Sequence, residues 1–248
     1  MSPGDVLGRI ADDVVSRQPP LEPVAVAVAL LVALAALLPW VAWRRTRHLL
    51  TILHEGGHAA AALVTGRRLS GIRLHRDTSG LTVSRGKPRG PGMVLTAAAG
   101  YPAPALVGLG AAALVGARRP LLALWLGLLL LALVLVLVRN LFGLWVVLVT
   151  AGALLAVTWW GTPVVHGVAA WALTAFLLLG APRAVVELQR GRRGGRSRGS
   201  DADVLAGLTP LPALAWVLVL GGLTLTCTAV GAWLLIGGLD GVGAPWVG

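Results

Sequence analysis

His54-Glu55-Gly56-Gly57-His58 is the stretch of this sequence whose residue types and spacing can do chemistry. In an α-helix, residues four apart lie one turn above each other on the same face, so both imidazoles can reach one metal ion. Two neutral imidazoles and one further ligand leave a coordination position for water, and zinc lowers the pKa of that water toward about 7. Glu55 could then take the proton of this water and pass it to a leaving amine. The pattern is typical of a zinc hydrolase.

The segment that carries the motif, Leu49 to Val64, is otherwise almost entirely apolar. Two histidines and a glutamate would therefore lie among hydrocarbon side chains. Ionisable groups at membrane depth are costly and are functional candidates by default. We predict that His54 and His58 bind a metal ion and that Glu55 is catalytic.

The composition is that of a membrane protein. Of the 248 residues, 56% are hydrophobic and only 12% are charged, and the mean hydropathy is +0.81. These values predict an all-α polytopic membrane protein. The net charge of +11 falls mostly in short clusters between apolar runs, as in cytoplasmic loops. Because no recognisable nucleic-acid-binding module accompanies the arginines, we expect anionic lipid rather than nucleic acid as their neighbour.

The apolar runs predict about 6–7 transmembrane helices. Residues 1–22 would form a polar N-terminal tail and residues 23–248 a single integral-membrane domain. A Gly/Arg-rich stretch at residues 182–199 is predicted as a flexible linker. The predicted spans are the metal-motif helix together with Val24–Trp43, Met93–Val115, Leu121–Val138, Leu141–Trp160, Pro163–Leu179 and Val204–Ile236.

A β-hairpin is predicted at about residues 68–86. Apolar and polar residues alternate on both sides of the turn-forming stretch Asp77-Thr78-Ser79-Gly80, which is typical of two paired strands. An ordinary basic loop is the alternative. If this segment is cytoplasmic, the four spans that follow return the chain to the same side at the basic linker. Arg44, Arg45 and Arg47 would then lie on the opposite side, unless the metal-motif helix is re-entrant.

The third metal ligand has three candidates, Asp201, Asp203 and Asp240. Ser200 and Asp203 have the spacing of a capping box, in which the acid reaches back to the start of its helix. This leaves Asp201 without an obvious structural task. Asp240 follows the last predicted span, on the opposite side from the metal motif in this orientation.

Taken together, the His54–His58 motif on an apolar helix, the following hairpin, Ala99-Gly100-Tyr101-Pro102 and a distal aspartate resemble the site-2 protease family of intramembrane zinc metalloproteases. More narrowly, the chain resembles its compact actinobacterial-type branch without a PDZ domain. The resemblance implies that Zn²⁺ is bound by both histidines and by an aspartate on a later helix, with Glu55 as the general base. The Ser200-Asp201-Ala202 opening is similar to that of the branch, so we favour Asp201, with Asp203 in reserve and Asp240 third.

An intramembrane protease must hold its substrate extended, and an exposed strand edge can do so by β-augmentation. The resemblance implies this role for the hairpin, with Ile72–Leu74 and Leu81–Val83 at the matching positions. Asn140 is either a simple interfacial break or a residue that bonds the substrate backbone. The expected partner is a membrane protein with a transmembrane helix, cleaved in the cell membrane toward the cytoplasmic side. The alternative is a catalytically inactive relative that acts as a membrane scaffold; the presence of Glu55 favours the enzyme.

Overall fold

Ten helices and one two-stranded antiparallel sheet form the part of the chain that the computed structural model describes, residues 2–195 and 199–239. The predicted fold class, an all-α membrane protein with a short hairpin after the motif helix, is confirmed. The helices before the hairpin are α1 (Pro3–Val15), α2 (Pro23–Leu37) and α3 (Trp40–Val64), and the strands are β1 (Arg68–Leu74) and β2 (Gly80–Arg85). The remaining helices are α4 (Pro91–Ala98), α5 (Pro102–Gly116), α6 (Pro120–Leu137), α7 (Leu141–Trp160), α8 (Pro163–Arg193), α9 (Asp201–Leu208) and α10 (Ala213–Leu239).

Proline determines where many of these helices begin. The first-turn N–H groups of a helix have no partner within the helix, so proline costs nothing there and its fixed φ favours the helical start. Six described helices open on a proline, at Pro3, Pro23, Pro91, Pro102, Pro120 and Pro163.

Four described helices, α6, α7, α8 and α10, are long and apolar enough to cross a membrane alone. Two further crossings require a bent pair: α2 with α3, bent by 97°, and α4 with α5, bent by 65°. By length and composition the described residues thus provide four to six spans. The predicted number of spans was 6–7, and its lower value of six is reached only if each bent pair crosses the membrane as one span.

The bend between α2 and α3 decides where the first arginine cluster lies. The chain turns at Leu38-Pro39, and Arg47 on α3 then reaches Glu187 near the end of α8, with Nη1 to Oε2 at 3.3 Å. The cluster therefore lies at the same end of the bundle as the basic end of α8. By length and composition, the motif helix is not a span on its own.

Helix α8 corrects the predicted linker at residues 182–199, because it continues through Pro182 as far as Arg193. One proline removes one intrahelical hydrogen bond, but Val185 and Leu188 beyond it are buried against α10. This burial favours the helix over a flexible segment. The helix ends only at Arg193, just before Gly194 and Gly195.

The last predicted span, Val204–Ile236, is also corrected, since it is two helices rather than one. Pro210 and Pro212 interrupt it, and α9 ends before them while α10 begins after them. Proline cannot donate a backbone hydrogen bond and disfavours helix at the residue before it. The break makes α9 a separate short helix that packs against both α4 and α10.

The predicted N-terminal tail, residues 1–22, contains helix α1, which is anchored on the bundle by side chains. Arg9 lies 4.2 Å from the ring of Trp159, and the Trp125 indole donates a 3.2 Å hydrogen bond to Asp13. Leu7 and Val15 remain exposed.

Candidate metal centre and active site

Helix α3 carries His54 and His58 one turn apart, as the spacing predicts, and their Nε2 atoms are 3.1 Å apart. The helix lies tightly against the junction between α4 and α5. A Cβ at Gly57 would meet the carbonyl oxygen of Ala99 at 2.6 Å, so the two backbones can approach only because residue 57 has no side chain. This approach brings the α4–α5 junction alongside the histidines.

The orientation of His58 is set by a backbone carbonyl. Its Nδ1 donates to the oxygen of Thr96 on α4 at 2.7 Å, and since a carbonyl only accepts, the proton must lie on Nδ1. In the neutral ring this leaves Nε2 with a free electron pair. His58 is thus held in the tautomer that binds a metal through Nε2.

Asp201, the first residue of α9, supplies the third donor. Its Oδ2 lies 3.3 Å from His54 Nε2 and 3.2 Å from His58 Nε2, and the three ligand atoms all lie within 4.8 Å of one another. This Oδ2 is buried and accepts no hydrogen bond. Buried carboxylate oxygens normally have a partner, so two imidazoles and an unpartnered carboxylate fit a metal cation, and this donor set is one that zinc accepts.

The other acidic candidates are accounted for differently. Asp203 forms the predicted capping box with Ser200 and an ion pair with Arg192 at 2.9 Å. Its pKa is lowered because, although burial acts to raise it, the hydrogen bonds from Ser200 and Arg192 outweigh that effect. Glu187 pairs with arginines of α3 and α8. Asp240 lies outside the described residues.

The carboxylate of Glu55 contacts the hairpin. Its side chain is 4% exposed, and its carboxylate accepts a 2.6 Å hydrogen bond from the hydroxyl of Thr82 on β2. Gly80, at the start of β2, leaves room for this carboxylate, since a Cβ there would meet Glu55 Cγ at 2.5 Å. One side of α3 therefore presents an oriented carboxylate beside the metal-ligand cluster.

The α4–α5 junction closes the cluster from the other side. A Cβ at Gly100 would meet His54 Cε1 at 2.5 Å, so this position admits only glycine while both imidazoles keep their places. The next residue, Tyr101, packs its ring edge-on against His54 with 4.7 Å between centroids. The junction thus confines the imidazole of His54 without coordinating anything itself.

A cavity of about 310 Å³ opens beside these groups. His54, Glu55 and Asp201 line it together with the hairpin turn, Thr78 to Gly80. The cavity thus joins the metal-ligand cluster, the carboxylate of Glu55 and the hairpin turn.

The predicted substrate-binding residues Ile72, Leu74 and Asn140 are corrected by their contacts. Ile72 and Leu74 are both 0% exposed and face the bundle. The Ile72 carbonyl accepts from the Arg139 N–H at 2.9 Å. Asn140 Oδ1 accepts from the Leu74 N–H at 3.1 Å and its Nδ2 donates to the Leu74 carbonyl at 2.7 Å. The outer edge of β1 is therefore already paired, and Asn140 bonds the hairpin rather than a ligand.

Two residues of the site were not predicted from the sequence. Thr82 orients Glu55, and its polarity within the alternating pattern of β2 was the only available signal. Thr96 contributes a backbone carbonyl, which every residue type has, so no sequence pattern could have identified it.

Comparison with known proteins identifies one family. A family model described as Peptidase M50B-like matches residues 27–231, which is most of the chain and includes the histidines, Glu55 and Asp201. No individual curated protein and no solved structure matches the chain.

Proposed function

The chain belongs to the Peptidase M50B-like family, a site-2 protease family, and from this premise we propose that it is an intramembrane zinc metalloprotease. It would hydrolyse peptide bonds in or near transmembrane segments of membrane-bound substrates. The observation that carries the proposal is the convergence of His54 Nε2, His58 Nε2 and Asp201 Oδ2 next to the buried carboxylate of Glu55.

His54, His58 and Asp201 would hold the zinc ion, which when bound supplies a Lewis acid and lowers the pKa of coordinated water toward about 7. Glu55 accepts a proton from the attacking water and delivers it to the nitrogen of the leaving amine. The hydrogen bond from Thr82 keeps the carboxylate of Glu55 in one orientation for both transfers.

The substrate segment would pair with β2 rather than β1. Antiparallel strands contain facing residues that exchange no hydrogen bonds with each other. The backbone N–H and C=O groups of such residues point toward the outer edges of the two strands. The backbone hydrogen-bonding groups of Ile72 and Leu74 point away from β2. Those of their partners on β2, Thr82 and Gly80, therefore point away from β1. Among the described residues, no backbone hydrogen bond from outside the hairpin reaches this β2 edge. The edge runs beside Glu55, so an added strand would enter the cavity.

Ser84 provides a test of this edge. It lies two residues after Thr82 on β2, so its backbone N–H points toward the same edge. Ser84→Pro removes one outward N–H, whereas Ser84→Ala keeps it, and both remove the hydroxyl that accepts from Arg67. Cleavage should fall by roughly 3- to 10-fold in the proline variant relative to the alanine variant, the loss of about one hydrogen bond. Equal cleavage by the two variants would exclude pairing at this position.

The metal centre would face the cytoplasm of a cell-membrane protein. The end of the bundle that holds it also carries the arginines of the hairpin and of the last turn of α8, Arg190, Arg192 and Arg193. Cytoplasmic segments carry an excess of Lys and Arg. Cysteine labelling of Arg85→Cys in sealed vesicles, which should react only from the cytoplasmic face, tests this orientation.

The decisive experiment measures bound zinc and cleavage of a transmembrane-helix reporter by four purified proteins: wild type, Glu55→Gln, Asp201→Ala and Asp203→Asn. Glu55→Gln should keep zinc and lose about 100- to 10,000-fold in activity. Asp201→Ala should lose zinc as well as activity. Asp203→Asn is the matched control, which removes an acid from the same turn of α9 and should keep zinc. Cleavage by Glu55→Gln at the wild-type rate would overturn the mechanism, and absence of zinc from wild type would favour a membrane scaffold.

A further inference from the structure

A second and larger cavity, of about 940 Å³, lies beside the N-terminal half of α3, between α2, α7 and α8. It shares no lining residue with the cavity at the metal centre. Its interior is apolar, with Val32 from α2, Val146 and Val149 from α7, and Ala172 and Leu173 from α8. We call this space the α2–α7 cleft.

The rim of the α2–α7 cleft is strongly basic. Arg44 and Arg45 of α3 and Arg76 of the hairpin turn line it, and all three are exposed. Within residues 2–195 and 199–239, none of the three forms an ion pair with a carboxylate. Arg47, further along α3, is by contrast paired with Glu187. The rim therefore presents three guanidinium groups free to bind an anion.

Asp77, next to Arg76 in the chain, does not neutralise this rim. Its carboxylate accepts hydrogen bonds from both the backbone N–H and the hydroxyl of Ser79, at 3.0 Å and 2.7 Å. It is not part of the lining of the cleft. The charge of the rim remains positive after Asp77 is counted.

Aromatic side chains mark the level of the rim within the bilayer. Trp40 and Trp145 line the mouth of the α2–α7 cleft and are 63% and 61% exposed. Exposed tryptophans concentrate where hydrocarbon meets the headgroup region. The arginines then lie at headgroup depth and the apolar lining at acyl-chain depth.

We propose that the α2–α7 cleft binds one anionic phospholipid, with the phosphate held by Arg44, Arg45 and Arg76 and an acyl chain along the apolar lining. Basic pockets between transmembrane helices are suited to anionic headgroups, and guanidinium groups bind phosphate oxygens in pairs. A soluble anion would use the rim but leave the apolar interior unfilled. A transmembrane helix of a protein would fill the interior but has no phosphate to meet three arginines.

The bound lipid would connect two parts of the active site. Arg44 and Arg45 lie on the helix that carries the histidines, whereas Arg76 lies in the turn whose next residues, Thr78 to Gly80, line the metal-centre cavity. A phosphate held by all three would fix the hairpin turn against α3. Occupancy of the cleft would thus stabilise the geometry of the hairpin beside Glu55.

The test is native mass spectrometry of the purified full chain with phosphatidylglycerol or phosphatidylcholine added in equal amounts. Wild type should retain more phosphatidylglycerol than phosphatidylcholine. In the triple variant Arg44→Ala/Arg45→Ala/Arg76→Ala, the ratio of the two retained lipids should fall by roughly 10- to 100-fold. The matched control removes the same charge from exposed hairpin positions, Arg68→Ala/Arg73→Ala/Arg85→Ala, and should retain the preference. Equal loss in both triple variants, or no preference in wild type, would overturn the proposal.

A second variant tests the apolar part of the cleft. Val149 is 51% exposed and lines it from α7, so Val149→Trp should partly fill the space without disturbing a packed core. It should reduce retention of phosphatidylglycerol although every arginine is present. Unchanged lipid retention combined with reduced reporter cleavage would assign the cleft to a protein helix instead. Because lipid retention is measured without catalysis, it can fail or succeed independently of the protease proposal.

Discussion

The α4–α5 junction holds the histidines of α3 through its backbone, whereas the hairpin on the other side holds Glu55 through a side chain. Thr96 offers His58 a carbonyl oxygen, and Gly100 offers both rings the space of a missing Cβ. Thr82, by contrast, donates a hydroxyl proton to the Glu55 carboxylate. Zinc binding should therefore be reduced by substitutions that enlarge a side chain at the α4–α5 junction. Catalysis by Glu55 should be reduced by substitutions that remove a polar group from the hairpin.

The largest expected effect is that of Gly100→Val. The new side chain would occupy the positions of the two imidazoles. The junction cannot easily move away from α3, because α5 packs against α8 and α10. We expect zinc affinity to fall by roughly 100-fold or more, at the upper end of what disturbed support of metal ligands costs, measured by competition with a chelating dye. Gly110→Val on α5 is the control, because a Cβ there meets no atom within 4 Å. Wild-type zinc affinity in Gly100→Val would show that the junction does not confine the histidines.

Thr82→Val should have an intermediate effect of a different kind. The change keeps the shape of the side chain but removes the hydrogen bond to a carboxylate, worth about 1.5–3 kcal/mol, so kcat should fall by about 10- to 100-fold. Zinc content should stay unchanged, because Thr82 contacts neither histidine. Thr82→Ser retains the hydroxyl and should restore most of the rate. A loss of zinc in Thr82→Val would mean that the hairpin also supports the metal ligands, and not Glu55 alone.

The smallest effect is expected from Thr96→Val. The atom that bonds His58 is the backbone oxygen, which the substitution leaves in place, and the lost hydroxyl bonds only within its own helix, to the Gly92 carbonyl. Zinc affinity and turnover should remain within about 2-fold of wild type. A large loss at Thr96 would indicate that side-chain polarity, rather than the backbone, supports the histidine.

The sequence predicted the placement of the motif residues on α3 well because the relevant information is local. The spacing of His54 and His58 places them on one helical face whatever surrounds them. The capping box at Ser200 and Asp203 is equally local, and it left Asp201 as the acid without a structural task. The structure brings that acid to the histidines.

Predictions that depended on which segments meet were less successful. The alternation of Ile72 and Leu74 predicts a strand, but it does not reveal that Asn140 pairs with the outer edge of that strand. Composition around Pro182 suggests a linker, and only the packing of Val185 and Leu188 against α10 makes it helical. These contacts join residues far apart in the chain, and no local pattern records them.

What the sequence by itself determined is the membrane class, the helix that carries the motif, and the residue types available for metal binding and proton transfer. Hydropathy, helical periodicity and capping act between near neighbours, so they can be read along the chain. Tertiary structure alone decided that α2 and α3 bend to bring Arg47 to Glu187. It also decided that Thr82 meets Glu55 and that Asn140 pairs with the outer edge of β1. Those outcomes depend on the burial and pairing of distant segments, which compete with local preference and are settled only when the whole bundle packs.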